Sequence, residues 1–170
     1  MKGYIHVYTG NGKGKTTAAF GVALRSLLND KKVYVGQFIK GMKYSETAIE
    51  NYFNNIKIEQ FGDGCFINRK PSEEDKIMAE NGLSKIKSIL TSSEYDLVIL
   101  DELTIALYFK LLSLKDVIDV LKGKREEVEV IITGRFCPQE LIDLADLVTD
   151  MTEVKHYYTQ GVLSRKGIDC

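Results

Sequence analysis

An α/β fold, with a mostly parallel sheet covered by helices on both faces, is predicted by three observations. Short β-branched and apolar runs alternate with helix-like segments along the whole chain. Two of those runs, around Leu97–Asp101 and Val130–Thr133, are apolar at nearly every position, as in strands covered on both faces. A glycine-rich turn, Gly10–Gly14, stands between the first strand and the first helix.

The elements follow in order. Tyr4–Tyr8 (YIHVY) reads as a strand, and KTTAAFGVALRSLLND as a helix ending near Asn29-Asp30. Val33–Phe38 and Ile56–Phe61 read as a second and third strand, the latter alternating at period two. Ser72, followed by Glu73, Glu74 and Asp75, reads as an N-cap with acids in the first turn, opening a helix that runs to about Leu90. DLVILDE is a buried strand, Leu114–Lys122 a helix, and VEVIITG another buried strand. Pro138 starts the next helix, and LVTDM is expected to be a last central strand.

Bulk properties set limits on function. A chain of 170 residues is most simply one domain, 1–170, with a real core. A net charge of -1 gives no global attraction to nucleic acid or to an anionic membrane, so neither is expected as a partner. Cys65, Cys137 and Cys170 are scattered and form no C-x-x-C pair, which points to a reducing cytoplasm and away from disulfides or structural zinc. The N-terminus has no long apolar core of a signal peptide, and no apolar run approaches a membrane span.

Two motifs carry chemistry. Thr9–Thr17 (TGNGKGKTT) ends as a phosphate loop does, although the usual pattern G-x-x-x-x-G-K-[ST] has glycine where Thr9 stands. Gly10 can make the opening turn one residue later. The position between strand and helix suits an anion, because a helix N-terminus offers free N–H groups and positive potential. Gly10, Gly12 and Gly14 let the backbone approach, Lys15 and Lys13 supply cations, and the Thr16 hydroxyl suits Mg²⁺. The second motif, Leu97–Glu102, delivers two acids at the end of a buried strand, in the crevice where open α/β sheets bind ligands. Asp101 or Glu102 is expected to hold Mg²⁺, directly or through water. His6 reads as structural. His156 lies late in the chain and is a weaker candidate for the site.

Taken in order, TGNGKGKTTAAFG (Thr9–Gly21), VGQFIKG (Val35–Gly41), VILDELT (Val98–Thr104), VIITGR (Val130–Arg135), LIDLADLVTDM (Leu141–Met151), VKH (Val154–His156) and GVLSRKGID (Gly161–Asp169) resemble the ATP:corrinoid adenosyltransferases of the CobA/BtuR/CobO type. The resemblance implies a RecA-like P-loop fold. It implies transfer of the 5′-deoxyadenosyl group of ATP to the cobalt of a reduced corrinoid, with loss of the whole triphosphate. ATP and a corrinoid are then the substrates and Mg²⁺ the cofactor. A reduced flavoprotein is the implied electron donor, and a homodimer the implied assembly.

Carried over by position, the family's ATP contacts fall on Asn11, Gly12, Lys13, Gly14, Lys15, Thr16 and Thr17, with Arg25 and Arg135 near the nucleotide. Its Mg²⁺ ligands fall on Thr16 and Glu102. Lys15, Thr16 and Glu102 are thus the expected catalytic residues. Two departures stand out. The N-terminal extension that helps cover the site in some members is expected to be absent or replaced. Better-known members carry a Phe and a Trp two apart that displace the lower axial ligand of cobalt. Cys65 and Ile67 stand at those places here, with Phe66 between them, and all three are expected to meet the corrinoid. The alternatives are an ordinary P-loop kinase or NTPase, and a non-catalytic nucleotide- or corrinoid-binding module.

Overall fold

The computed structural model describes residues 2–42, 44–62 and 70–169. Among these, β1 (Ile5–Thr9), α1 (Lys15–Leu27), β2 (Val33–Phe38), β3 (Ile56–Phe61), α2 (Glu73–Thr91), β4 (Leu97–Asp101), α3 (Leu103–Tyr108), α4 (Leu114–Lys122), β5 (Glu129–Thr133), α5 (Gln139–Leu144) and β6 (Leu147–Asp150) follow in sequence. Short 3₁₀ turns cover Ser45–Asn51 and Tyr157–Gln160. The six strands form one sheet in the order β3-β2-β4-β5-β1-β6, and every pairing is parallel.

Strand parity divides the core into two layers. Val33 and Val35 of β2, Leu97 and Ile99 of β4 and Ile131 of β5 pack against Ala19, Phe20, Ala23 and Leu27 of α1. Tyr34 and Phe38, Val98 and Leu100, and Val130 and Ile132 face the other way, with Leu83, Ile86 and Leu90 of α2, Leu103 of α3, Leu121 of α4 and Leu141 of α5. Burial of a side chain the size of Phe20 or Leu27 contributes about 1.5–3 kcal/mol each.

Local signals explain the element starts. Ser72 accepts from Asp75 N at 3.3 Å while Asp75 Oδ2 accepts from Ser72 N at 2.7 Å, a reciprocal capping box that starts α2. Ser113 accepts from Asp116 N at the start of α4. One expectation is corrected: Leu147–Met151 does not form a central strand. β6 pairs only with β1 at the sheet edge, and all four of its residues are exposed. Its apolar pair Leu147-Val148 resembles a buried run in composition, but no helix among the described residues buries it. The helix α3 is also unanticipated. It is short and begins at once after β4, so its apolar residues read as a continuation of that strand.

Candidate active site

Parity also assembles the site. Gln37 continues the Val33–Val35 face of β2, Asp101 the Leu97–Ile99 face of β4, and Thr133 the Ile131 face of β5. Gln37 and Asp101 are register partners, and Thr133 lies one step beyond the Leu100–Ile132 pair. All three side chains therefore meet at the C-terminal edge of adjacent strands, on the face covered by α1. All three are fully buried.

Asp101 is the hub. Its Oδ1 accepts from Thr16 Oγ1 at 2.8 Å and from Thr133 Oγ1 at 2.7 Å. Its Oδ2 accepts from Gln37 Nε2 at 3.1 Å and from Lys40 Nζ at 2.7 Å. Lys40 also reaches Glu46 at 3.4 Å. Burial opposes the charge of Lys40, but Asp101 and Glu46 outweigh it and raise its pKa. With both oxygens engaged, Asp101 holds the Thr16 hydroxyl in place.

Glu102 sits beside this hub in an unusual backbone state. Its φ of 59° is left-handed, where a residue with a side chain is strained by about 1–3 kcal/mol. Its N–H donates to Thr133 Oγ1 at 3.1 Å, and Thr104 Oγ1 donates to the Arg135 carbonyl at 2.6 Å, pinning the β4–α3 corner to β5. No donor among the described residues reaches its carboxylate. Burial, then the Asp101 charge, raise its pKa, and Lys40, Lys15 and Arg135 oppose the rise. A hydroxyl and an unengaged carboxylate side by side are oxygen donors of the kind Mg²⁺ takes, in a site where phosphates and water complete its shell. No group of three or more His, Cys, Asp or Glu among the described residues could cage a metal ion by itself.

The Gly10–Thr17 loop turns at Gly10 and Gly14. Gly10 has φ +98°, and a Cβ there would lie 2.2 Å from Asp150 Oδ1 and 2.6 Å from the Met151 carbonyl. The opening turn is therefore made by Gly10, one residue later than the usual pattern, and the β6 exit packs directly on it. Gly14 caps α1 in a left-handed conformation. Lys15 Nζ donates to the Gly10 and Gly12 carbonyls at 2.8 and 2.7 Å, and burial lowers its pKa.

The chain's last described segment lies across this loop. Thr16, Thr17, Lys40, Glu102, Ser164 and Asp169 border a cleft of about 630 Å³. Asn11, Lys13, Lys15, Arg135, His156 and Asp169 border an adjoining hollow of about 300 Å³. Lys13 is ion-paired with Asp169 and donates to the Tyr157 hydroxyl at 2.7 Å. Gly10, Asn11, Gly12, Lys13, Gly14, Lys15, Thr16, Thr17, Asp101, Glu102 and Arg135 are thus brought together, and His156 joins them at the wall.

Arg25 is not among them. It is exposed near the far end of α1, about 15 Å along the helix axis from Lys15. Cys65, Phe66 and Ile67 lie outside the described residues. His6, on β1, pairs through Nε2 with Glu129 Oε1 at 2.5 Å, a packing role away from the loop.

The sequence profile of ATP:corrinoid adenosyltransferases, BtuR/CobO/CobP, matches residues 1–170. The chain belongs to this family. It is 38% identical over 170 residues to the corrinoid adenosyltransferase of Escherichia coli K12, covering 99% of this chain and 86% of that one. The same figures hold for the corrinoid adenosyltransferase CobA of Salmonella typhimurium LT2. With the corrinoid adenosyltransferase of Pseudomonas aeruginosa PAO1, identity is 34% over 172 residues, covering 99% of this chain and 84% of that one.

Within this adenosyltransferase architecture, Gln37, Lys40, Thr104 and Thr133 border the site, and all four lie inside recognised strings that gave them no role. Strand parity is the signal for Thr133 once the strand order is known, since it follows Ile131 on the face that Asp101 shares. No helix among the described residues is long and apolar enough to cross a membrane.

Proposed function

We propose that this chain transfers the 5′-deoxyadenosyl group of ATP to the cobalt of a reduced corrinoid, with the Gly10–Thr17 loop gripping the triphosphate that leaves. The observation that carries this reading is the union, in a chain matched end to end by the family profile, of a phosphate loop and a pinned acidic corner in one crevice. The Co(I) lone pair attacks C5′, the Co–C bond forms, and the C5′–O bond breaks with its electrons passing to the triphosphate. No proton moves, so no general base is needed. The residues that matter stabilise negative charge on the departing group. Lys15, Lys13 and the N–H groups that open α1 do so in a preorganised way.

Thr16 and Glu102 would hold Mg²⁺, which neutralises triphosphate charge when bound. Asp101 keeps the Thr16 hydroxyl in position, and Thr133 keeps Glu102 in its left-handed turn. Arg135 adds positive charge at the β5 exit. Phe66 and Ile67, with Cys65 beside them, are assigned to the dry lower face of the corrinoid, where apolar volume excludes an axial ligand. A homodimer, a reduced flavoprotein as electron donor and a cytoplasmic site of action complete the reading.

The test is anaerobic incubation of the chain with ATP, Mg²⁺ and chemically reduced cob(I)alamin. A photolabile Co–C bond and inorganic triphosphate are the expected products. ADP or orthophosphate with no Co–C bond would replace this reading with a kinase or NTPase, and binding without turnover would make the chain a carrier module.

A further inference from the structure

A second cluster of charge stands on the phosphate loop, and it is built from the chain itself. Asp169 accepts short hydrogen bonds from Lys13 Nζ and from the Tyr157 hydroxyl. It also accepts from Arg165 N and Arg165 Nε, each at 3.0 Å. Its side chain is 11% exposed. Lys13 Nζ meets Tyr157 at its hydroxyl, at 2.7 Å, and the Arg165 guanidinium lies 5.0 Å from the centroid of the Tyr157 ring, so one tyrosine touches both cations. The turn that carries Arg165 is closed by Asp169 N donating to the Arg165 carbonyl at 2.8 Å.

Four donors around one carboxylate, two of them from cationic side chains, form a seat for an oxyanion. Lysine, arginine and a hydroxyl also grip phosphate, through the same charge-assisted bonds. Lys13 belongs to the phosphate loop, three residues from the Thr16 hydroxyl. An anion delivered to that loop and the Asp169 carboxylate cannot share Lys13 without strong repulsion. The Lys13 bond first, then Tyr157, hold the Asp169 carboxyl well below the usual carboxylate range, so it remains an anion throughout the neutral range.

We infer that Lys13, Tyr157 and Arg165 form a phosphate seat in which Asp169 stands in for a phosphate group of the nucleotide, so that the triphosphate and Asp169 compete for it. This rests on the reading that the loop holds a triphosphate. It adds Tyr157 and Arg165 to the residues that touch the nucleotide. It also gives the Gly161–Asp169 segment a task, since a phosphate seated on Lys13 must first move the Asp169 side chain aside.

Calorimetric titration of the full chain with inorganic tripolyphosphate, and separately with ATP, tests the inference. Asp169→Asn should bind tripolyphosphate about tenfold tighter than the parent, because the internal competitor loses its charge. In that background, adding Tyr157→Phe or Arg165→Gln should weaken binding about three- to tenfold, because a seat donor is lost with no competitor left to release. If Tyr157 and Arg165 served only to hold Asp169, the double variants would bind as Asp169→Asn does, and that result overturns the seat. Unchanged affinity in Asp169→Asn overturns it too. Repeating the series on Asp169→Ser, with thermal unfolding of each variant, prevents a folding defect in one protein from deciding the outcome. A parent chain that binds neither tripolyphosphate nor ATP defeats the phosphate-loop reading and the seat together. A parent that binds, with variants that shift otherwise, defeats the seat alone.

Discussion

Asp101→Asn removes one negative charge from a fully buried hub and keeps the shape. The four donors that Asp101 accepts must then share an amide with one acceptor oxygen. The least costly arrangement turns the amide nitrogen toward Thr16 and Thr133, whose hydroxyls can accept, and leaves the oxygen to Gln37 and Lys40. Thr133 already accepts from Glu102 N, so its hydroxyl hydrogen is stranded. Lys40 loses its nearest counter-charge and keeps Glu46 at 3.4 Å and the more distant Glu102. Removal of one partner from a buried pair costs about 3–5 kcal/mol, but the Lys40 side chain is 16% exposed and retains a second acid, so roughly 2–3 kcal/mol is expected. In a chain of this size that lowers the unfolding midpoint by roughly 5–10 °C. Thr16 also loses the anchor that orients its hydroxyl, so turnover should need more Mg²⁺. Urea and thermal unfolding read the first effect, and a Mg²⁺ titration of adenosylation the second. A variant that unfolds at the parent's midpoint and keeps its Mg²⁺ dependence would refute the hub.

Lys15→Ala should lower the rate of Co–C bond formation with prereduced cobalamin by about 10²–10³, and parent-like turnover would remove Lys15 from the mechanism. Glu102 has a raised pKa, so without Mg²⁺ the folded chain binds more protons than the unfolded one between the ordinary carboxylate range and the raised value. Stability should therefore fall as pH rises through that window, and Glu102→Gln should abolish the slope in pH-resolved unfolding. Gly82→Ala should destabilise by about 1–3 kcal/mol, because its Cβ would lie 2.5 Å from Phe61 Cγ; an unchanged urea midpoint would show that Phe61 moves freely. Phe66→Ala and Ile67→Ala should impair adenosylation far more from cob(II)alamin with a weak reductant than from prereduced cob(I)alamin, and equal losses would assign both residues to folding or general binding.

What was legible in the sequence was local. β2, β3 and α4 fall where alternation and periodicity put them, and Ser72 caps α2 through residues within three positions of it. The phosphate loop and the Asp101-Glu102 pair were legible because each is a contiguous string. The residues that hold those strings together were not, because Gln37, Lys40 and Thr133 meet Asp101 only after strands far apart in sequence come into register. β6 was misplaced because composition reports apolarity and cannot report whether a helix will lie over it. Arg25 was placed near the nucleotide by resemblance alone, and it stands in the last turn of α1.

The sheet order has a consequence for how the site comes into being. β5 lies between β1 and β4, so the strand that presents the phosphate loop and the strand that presents the acids never touch. Their connection runs through Thr133, 32 positions after Asp101, and through Thr16, 85 positions before it. Such non-local closure is slow, because loop entropy is lost before the contacts that repay it are made. On the ribosome, the Thr133 contacts to Asp101 and to the Glu102 N–H cannot form until β5 has emerged and inserted. Until then the nascent chain has a loop and two acids but no pinned acidic corner.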